Sequence, residues 1–589
     1  MSRLQARAQR LRRWRPEFSV ASVVGGSVAA LVAAGAMALL RATLHVRTIP
    51  ERLMEWLLLF VPLDLFEAGI QRFGFDAKRY ALYAAVAGML LALAALGAVA
   101  LQRSWSTRAI TALGLGLWLF TMVVIMPLTD AGLFALALVD GKRATIGGYF
   151  AVALLYAAML VLARSLSPAP ARPTTRRAAV GGRTTSRRSA LLLLGGALGA
   201  YAVTFVSVLR GHTTPITKVV VLDPQDPVPS GGIDPAGSHP SGTAAGADEA
   251  RSAARPVSLT EPPPARQLTR DKDGAVLASG RRPGELAERI TSNDDFYIVS
   301  KNAASDPQLR PADWRLIVDG EVQHTFQLDY ASLRNLPAVE VTKTLECISN
   351  FTAKCELAPF GCDLISTARW KGVALKDVLE LTGGLKPGVI SLAVIGADEF
   401  TTALPIDVAL ASDTLLVYEM NGQVLPREHG YPARVLVPGR YGMKNAKWVV
   451  ALRALSRDFL DWYGQRNWSR EAIVKTMTRI DVPAPNATLP PGEHRIAGVA
   501  YAGDRGVAKV EFSADGGETW QVAQFLEPAA GRDAWIRWEG RFALAPDSQA
   551  TLVARATDYT GALQIEAFSL AQPDGGTGWN SIEVRSRPT

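Results

Sequence analysis

Thr344-Leu345-Glu346-Cys347-Ile348-Ser349-Asn350 closes a β-rich run, Val339-Glu340-Val341-Thr342-Lys343-Thr344-Leu345, where that run gives way to a polar turn. The chain has 3 cysteines in 589 residues. A thiol at the end of a strand can present a thiolate to a soft metal or act as a nucleophile. The plainer reading of any single cysteine is a small buried apolar residue. The stretches downstream decide between the two. They are Leu364-Ile365-Ser366-Thr367-Ala368-Arg369-Trp370, Tyr418-Glu419-Met420-Asn421-Gly422, His429-Gly430-Tyr431-Pro432-Ala433-Arg434, and the run from Val437-Pro438-Gly439-Arg440 to Tyr441-Gly442-Met443-Lys444-Asn445-Ala446-Lys447-Trp448.

In this order, and together with the Cys347 stretch, these motifs closely resemble the molybdenum-cofactor domain of the sulfite oxidase family. The resemblance covers residues 285–589. It implies a molybdopterin-dependent oxidoreductase performing oxo transfer, with Cys347 as the sulfur ligand of molybdenum. It also implies that Asp398, His429, Arg434, Asn445, Ala446 and Lys447, with Lys444, hold the pterin and its phosphate. Physically, a phosphate needs cations and backbone donors, and Arg434 and Lys447 beside a glycine-containing loop supply them. Without the family, Lys444 and Lys447 read as surface charges. Tyr297, Ser300 and Lys301 match the family's first pterin-contacting segment less closely. Tyr418 matches a tyrosine placed near molybdenum, with a buried structural tyrosine as its alternative.

The departures bear on the substrate. The family's sulfite-binding arginines follow the ligand cysteine and the Phe-Tyr pair; here Asn350-Phe351-Thr352 and Ile298-Val299-Ser300 stand there. Losing two guanidinium forks removes the bidentate donors an oxyanion needs. A neutral S-oxide or N-oxide therefore fits better than sulfite, which remains the alternative within the class. A non-catalytic membrane scaffold that keeps the fold without metal is the reading from another class, and metal analysis separates the two. Cys355 and Cys362 flank Pro359-Phe360-Gly361 in what reads as an insertion, either as a disulfide in an oxidising compartment or as two thiols.

From residue 291 the pattern is mixed α/β. Trp314 to Val318 reads as a strand with a tight turn at Asp319-Gly320, Leu375 to Leu381 as a short amphipathic helix, and Val389 to Ile395 and Ala433 to Pro438 as strands. From residue 483 short strands alternate with Gly and Asp turns. This pattern suggests an all-β, immunoglobulin-like sandwich, and it resembles the family's dimerisation domain, so a homodimer is implied. Upstream, residues 211–290 are rich in Pro, Gly, Ser and Ala and read as a disordered linker.

Before residue 210 lies an all-α transmembrane bundle. Residues 18–40, 80–101, 109–128, 145–163 and 190–209 are each apolar over the ~20 residues that span a bilayer. Residues 54–70, interrupted by Pro62, Asp64 and Glu67, read as interfacial or re-entrant. The formal charge of +9 is uneven. Arginines crowd the N-terminus and residues 164–188, flanking apolar segments. They read as topology signals with both clusters cytoplasmic and everything after 210 extracytoplasmic, in the periplasm of a two-membrane cell. No basic motif interleaves with aromatics, so nucleic acid is not an expected partner. Thr184 to Leu192, with Arg187-Arg188, resembles an internal twin-arginine export signal, with a plain positive flank as the alternative. Of the 6 histidines only His45 and His212 lie near the helices, so paired haem ligands are not expected there. With no haem or iron–sulfur motif in the chain, a separate electron carrier or a quinone must exchange electrons with the small-molecule substrate's site.

Overall fold

A computed structural model describes residues 18–58, 60–61, 72, 77–138, 141–166, 191–194, 196–200, 261–262, 281–302, 306–350, 353 and 362–587. The chain divides into two compact units, Met1–Thr214 with Asn302–Ser305, and Pro215–Lys301 with Asp306–Thr589.

In the first unit α1 (Val20–Leu44), α2 (Ile49–Leu57), α3 (Ala77–Gln102), α4 (Thr107–Phe120) and α5 (Lys142–Leu166) follow one another. The fourth continues through a π-helical turn at Thr121–Ile125 to Leu128. Four helices are long and apolar enough to cross a membrane, over Val20–Leu44, Arg79–Gln102, Thr107–Leu128 and Lys142–Leu166. Small residues let them approach closely. A Cβ on Gly26 of α1 would lie 2.4 Å from the Ala94 carbonyl oxygen of α3. The helix α2 starts at a capping box of Thr48 and Glu51, and Glu51 and Glu55 pair with Arg41 and Arg47. It begins upstream of the interfacial segment expected over 54–70, whose Pro62, Asp64 and Glu67 lie outside the described residues. Of the fifth expected span only the shorter apolar helix Leu191–Ala200 is described in part. Arg187 and Arg188 also lie outside the described residues.

The second unit begins with two sheets. One has the order β2 (Phe326–Asp329), β1 (Arg315–Gly320), β10 (Val449–Leu455), β5 (Ser391–Gly396), β6 (Thr401–Pro405), with β1 and β10 parallel. The other runs β3 (Val339–Glu346), β4 (Ile365–Ala374), β7 (Leu415–Met420), β8 (Gln423–Val424), and β9 (Arg434–Leu436) also pairs with β7. Leu316, Val318, Leu392, Val394 and Leu452 from the first sheet, with Val373, Leu416 and Val435 from the second, share one core. The helix Leu375–Glu380 forms as expected. Asp319-Gly320 does not turn: both residues extend β1, because Asp319 is opposite Arg453 in β10 and accepts from its Nε at 2.7 Å.

Two further sheets follow, with the orders β11 (Met477–Val482), β13 (Gly492–Tyr501), β17 (Ile536–Leu544), β16 (Gln524–Phe525) and β12 (Ala487–Leu489), β19 (Asn580–Ser586), β18 (Gln549–Asp558), β14 (Val507–Ser513), β15 (Gln521–Val522). Ile496, Trp538 and Phe542 of one face Phe512, Leu552 and Val584 of the other in a common core.

These halves are clamped together at the strand that leads to Cys347. The buried Lys343 Nζ pairs with Asp533 Oδ2 at 2.8 Å. Thr344 N donates to Asp533 O at 2.8 Å, Trp535 N to Thr344 Oγ1 at 2.8 Å, and the Tyr501 hydroxyl to Thr344 O at 3.0 Å. Residues 281–290 correct the linker expectation, for they pack on this unit. Arg281 Nη2 lies 2.8 Å from Asp363 Oδ1, and Ala287 N donates to the buried Asp481 carboxylate at 2.9 Å. Composition hid this because ion pairs and hydrogen bonds to the backbone of Ala287 and Arg289, with little apolar area beyond Ala287, hold the segment. Replacing Asp533 by Ala leaves a buried ammonium without its carboxylate, a loss of about 3–5 kcal/mol. A thermal melt followed by tryptophan fluorescence should show a midpoint several degrees below wild type.

Candidate functional site

Four segments converge on one cavity. The end of β3 brings Cys347; the loop after β5 brings Asp398 and Phe400; the turn before β9 and its first residue bring Glu428, His429 and Arg434; and the β9–β10 connection brings Asn445 to Trp448. Residues 296–301 and Tyr463 complete the wall. Tyr297, Ser300, Lys301, Cys347, Asp398, His429, Arg434, Asn445, Ala446 and Lys447, all singled out from sequence, line it together.

Tyr418 and Lys444 do not line this cavity. Tyr418 is 2% exposed in the core of the two sheets, with the Arg334 guanidinium 5.3 Å over its ring. Lys444 is buried and turned away: its Nζ donates to Asp461 Oδ2 at 2.6 Å and Ala403 O at 3.1 Å. The 3₁₀ turn Gly442–Lys444 sends Lys444 one way, and Lys447 is delivered to the cavity three residues on.

The cations are the unusual part. Arg434 Nη1 donates to His429 O at 3.1 Å and Nη2 to Asn445 O at 2.9 Å, while its buried Nε has no hydrogen-bond acceptor among the described residues. The Trp370 ring lies under the guanidinium at 5.3 Å. Burial pulls the arginine down to about 10. Lys447 Nζ donates to Val299 O at 3.0 Å and Glu428 O at 2.9 Å and sits 4.2 Å from the Trp448 ring centroid. Burial is the main force pulling it down to about 8. The backbone is strained to place it, for Trp448 holds φ 52, a left-handed conformation that costs a bulky residue energy. Gly430 opposite has φ 117, and a Cβ there would lie 3.1 Å from the Cβ atoms of both Arg434 and Lys447.

Lys301 Nζ lies 3.8 Å from Asp398 Oδ2, and Phe400 N donates to Asp398 Oδ1 at 3.2 Å. Ser300 Oγ donates to Asp306 at 2.5 Å, and His429 Nε2 is 3.2 Å from Asn293 O. The Asn445 side chain is spent internally, accepting from Val437 N at 2.7 Å and donating to Tyr441 O at 3.0 Å.

Cys347 is half-buried, outside any disulfide, and its N donates to Leu364 O at 2.9 Å. Among the described residues no group of three or more His, Cys, Asp or Glu gathers to hold a metal ion, and Cys347 is the one cysteine among the residues lining this cavity. Its neighbour Glu346 is fully buried and pushed up to about 8, chiefly by desolvation. Asn350 Nδ2 donates to Glu346 Oε1 at 2.9 Å, and Asn350 Oδ1 accepts from Leu364 N at 3.2 Å. Burial first, and then the Cys347 charge, raise the phenols of Tyr297 and Tyr463. Tyr463 was missed from sequence because it lies in an irregular segment with no period to place it; its only signal was an aromatic cluster, Trp462-Tyr463 with Trp468.

Residues 303–463 match the family model described as oxidoreductase molybdopterin binding domain, and residues 470–571 the one described as Mo-co oxidoreductase dimerisation domain. Sulfite oxidase of Gallus gallus is 36% identical over 316 residues, covering 47% of this chain and 68% of that protein. Mitochondrial sulfite oxidase of Homo sapiens is 32% identical over 281 residues, 42% of this chain and 51% of that one. Nitrate reductase [NADH] of Ulva prolifera is 27% identical over 292 residues, 41% and 34%. Among solved structures, the sulfane dehydrogenase SoxCD from Paracoccus pantotrophus aligns with a TM-score of 0.46 at 24% identity, covering 51% of this chain and 82% of that one.

With this cavity and these matches, the protein is a molybdopterin-dependent oxidoreductase whose cofactor is the molybdenum cofactor. The chain belongs to the sulfite oxidase family.

Cys362 is disulfide-bonded, and Cys355, the one cysteine left in the sequence, lies outside the described residues. Cofactor-free protein unfolded without reductant should therefore take up one equivalent of iodoacetamide, and three after reduction, by intact mass.

Proposed function

We propose that this chain is a membrane-anchored extracytoplasmic enzyme that moves an oxygen atom to or from a neutral S-oxide or N-oxide. Its proposed parts are a membrane domain over 1–210, a linker ending near 280, a catalytic domain to 482 and an immunoglobulin-like, dimerisation-type sandwich over 483–589. Four long apolar helices and the basic stretches beside the apolar segments support the anchoring and the orientation. The match to a dimerisation domain supports a homodimer.

The residues present fit the cofactor. Arg434 carries a buried donor without an acceptor, Lys447 a desolvated ammonium, and Cys347 a sulfur, all on one wall. In this reading Cys347 ligates the metal, which its single protein sulfur leaves to the pterin to hold. Arg434 and Lys447 take the anionic end of the cofactor. His429, Asp398, Lys301, Ser300 and Tyr297 line the pterin, and the Asn445 side chain with the Ala446 backbone fixes the loop that carries Lys447. When bound, the cofactor supplies two-electron oxo transfer. Phe296, Tyr297, Ile348 and Met443 wall the cavity beside the sulfur.

The observation that carries the substrate class is what stands at the two arginine positions. Ile298 and Val299 line the cavity, and Asn350 has its amide committed to Glu346 and Leu364. Neither place offers a cation to an oxyanion. Sulfite, the anion in the relatives' names, is the second reading, favoured by Arg434 and Lys447 on the same wall.

A substrate panel on the purified holoenzyme, with a reduced viologen dye as donor for the oxides and ferricyanide as acceptor for sulfite, should show turnover of dimethyl sulfoxide or trimethylamine N-oxide. Cys347→Ser should lower it at least ~100-fold with an unchanged thermal midpoint. Sulfite turnover far above that of either oxide contradicts the reading. Lys447→Gln should reduce pterin released on denaturation about tenfold, the loss expected of one charge-assisted bond. Lys444→Gln should keep its pterin and melt earlier, because it breaks a buried ion pair instead.

A further inference from the structure

Glu261 and Pro262 stand upstream of the residues that match the molybdopterin-binding family model, which begin at 303, and composition assigns both to the linker. They are nevertheless seated on the second unit. Pro262 is buried. The Glu261 carboxylate accepts from Arg427 Nη2 at 2.7 Å, and among the described residues no other carboxylate lies within ion-pair distance of that guanidinium. Arg427 Nη1 donates to Leu309 O at 3.2 Å, and the guanidinium lies 5.6 Å over the Tyr431 ring.

Arg427 opens the 3₁₀ turn Arg427–His429, and each of the turn's three carbonyls is taken by a donor of the cofactor wall. Arg427 O accepts from Trp448 Nε1 at 2.8 Å, Glu428 O from Lys447 Nζ at 2.9 Å, and His429 O from Arg434 Nη1 at 3.1 Å. Two of these donors are the cavity's buried cations. The third belongs to the residue held at φ 52 directly after Lys447. A buried cation depends on every acceptor it has, because a donor left unmet away from water costs its full desolvation. Where the turn sits therefore decides where Lys447 and Arg434 point. The turn's own backbone bonds, His429 N to Pro426 O at 3.1 Å and Gly430 N to Arg427 O at 3.2 Å, are long, and the Arg427 side chain ties it outward.

We propose that the Glu261–Arg427 pair is a positioning clamp for the cofactor site: the segment upstream of the catalytic domain holds the turn whose carbonyls aim Lys447 and Arg434, so retention of the cofactor depends on that segment being docked. The proposal rests on the reading above that these two cations take the cofactor's anionic end. Glu261 and Arg427 touch neither cofactor nor substrate; they act through the turn. Glu261 is 44% exposed and Arg427 12%. Such a pair adds little to the stability of a fold. What it fixes here is the geometry of one turn.

The test uses full-length holoenzyme in detergent: wild type, Glu261→Ala, Arg427→Gln, both together, Lys447→Gln, and Arg453→Gln, which breaks the part-exposed Arg453–Asp319 pair on β10 and β1. Three quantities are read: the rate at which diluted holoenzyme releases its pterin, by fluorescence of the freed pterin; hydrogen exchange of the backbone amides in 427–431; and the thermal midpoint of cofactor-free protein. Glu261→Ala should release pterin about threefold faster, the ratio expected of a part-exposed ion pair. It should also speed exchange in 427–431 while the cofactor-free midpoint stays within about two degrees of wild type. Arg453→Gln should match wild type in both release and that exchange. The double variant should be no worse than Arg427→Gln alone, since both changes remove one contact. Wild-type release from Glu261→Ala overturns the proposal, as does faster release with wild-type exchange, which removes the route through the turn. Effects that add in the double variant overturn the pairing. A Glu261→Ala midpoint lowered by many degrees, or an equal gain in release from Arg453→Gln, overturns the positioning role in favour of general stability. Lys447→Gln that releases pterin at the wild-type rate overturns the cofactor reading instead; exchange in Glu261→Ala then still reports whether Glu261 holds the turn.

Discussion

A guanidinium taken out of water must be surrounded by acceptors, and Arg434 is not. Two backbone carbonyls satisfy its terminal nitrogens, the Trp370 face covers it, and Nε is left over. Among the described residues no carboxylate stands within ion-pair distance of it. Lys447 lies close enough that the two cations oppose each other's charge. A fold tolerates such a pair when an anionic ligand resolves it. The strained Trp448 backbone and the glycine at 430 are local costs of holding the cations ready.

The sulfur's position depends on both halves of the second unit. The strand leading to Cys347 is gripped from the side by Tyr501 of β13 and by Asp533 and Trp535 in the turn before β17. Ile348, Tyr441 and Met443 near the cavity share a core with Val499, Tyr501 and Trp535. Folding of the C-terminal sheets and placement of Cys347 are therefore coupled. A change far from the cavity, at Asp533, reaches it along one strand.

Much of this was legible in the sequence because the chemistry sits in contiguous motifs. Cys347, Arg434 and Lys447 each lie a few residues from a strand end, where alternation and glycine turns fix direction. Tyr418 was not legible, because β7 is buried on both faces and a period of two cannot say which face meets a cavity. Lys444 was misplaced since three residues of 3₁₀ turn separate opposite directions. Its partner Asp461 lies far along the chain in an irregular loop. Tyr463 is in that same loop, and only tertiary contacts bring it to the sulfur. The segment 281–290 has linker composition, yet folds through ion pairs that composition does not count.

The most direct test is the thermal midpoint of Arg434→Met beside wild type, each with and without the cofactor. If the buried guanidinium is there for an anionic ligand, the cofactor-free variant melts at or above cofactor-free wild type, and the rise that loading gives wild type by several degrees is lost in the variant. A variant that melts far below cofactor-free wild type, yet gains the full rise on loading, would contradict the account.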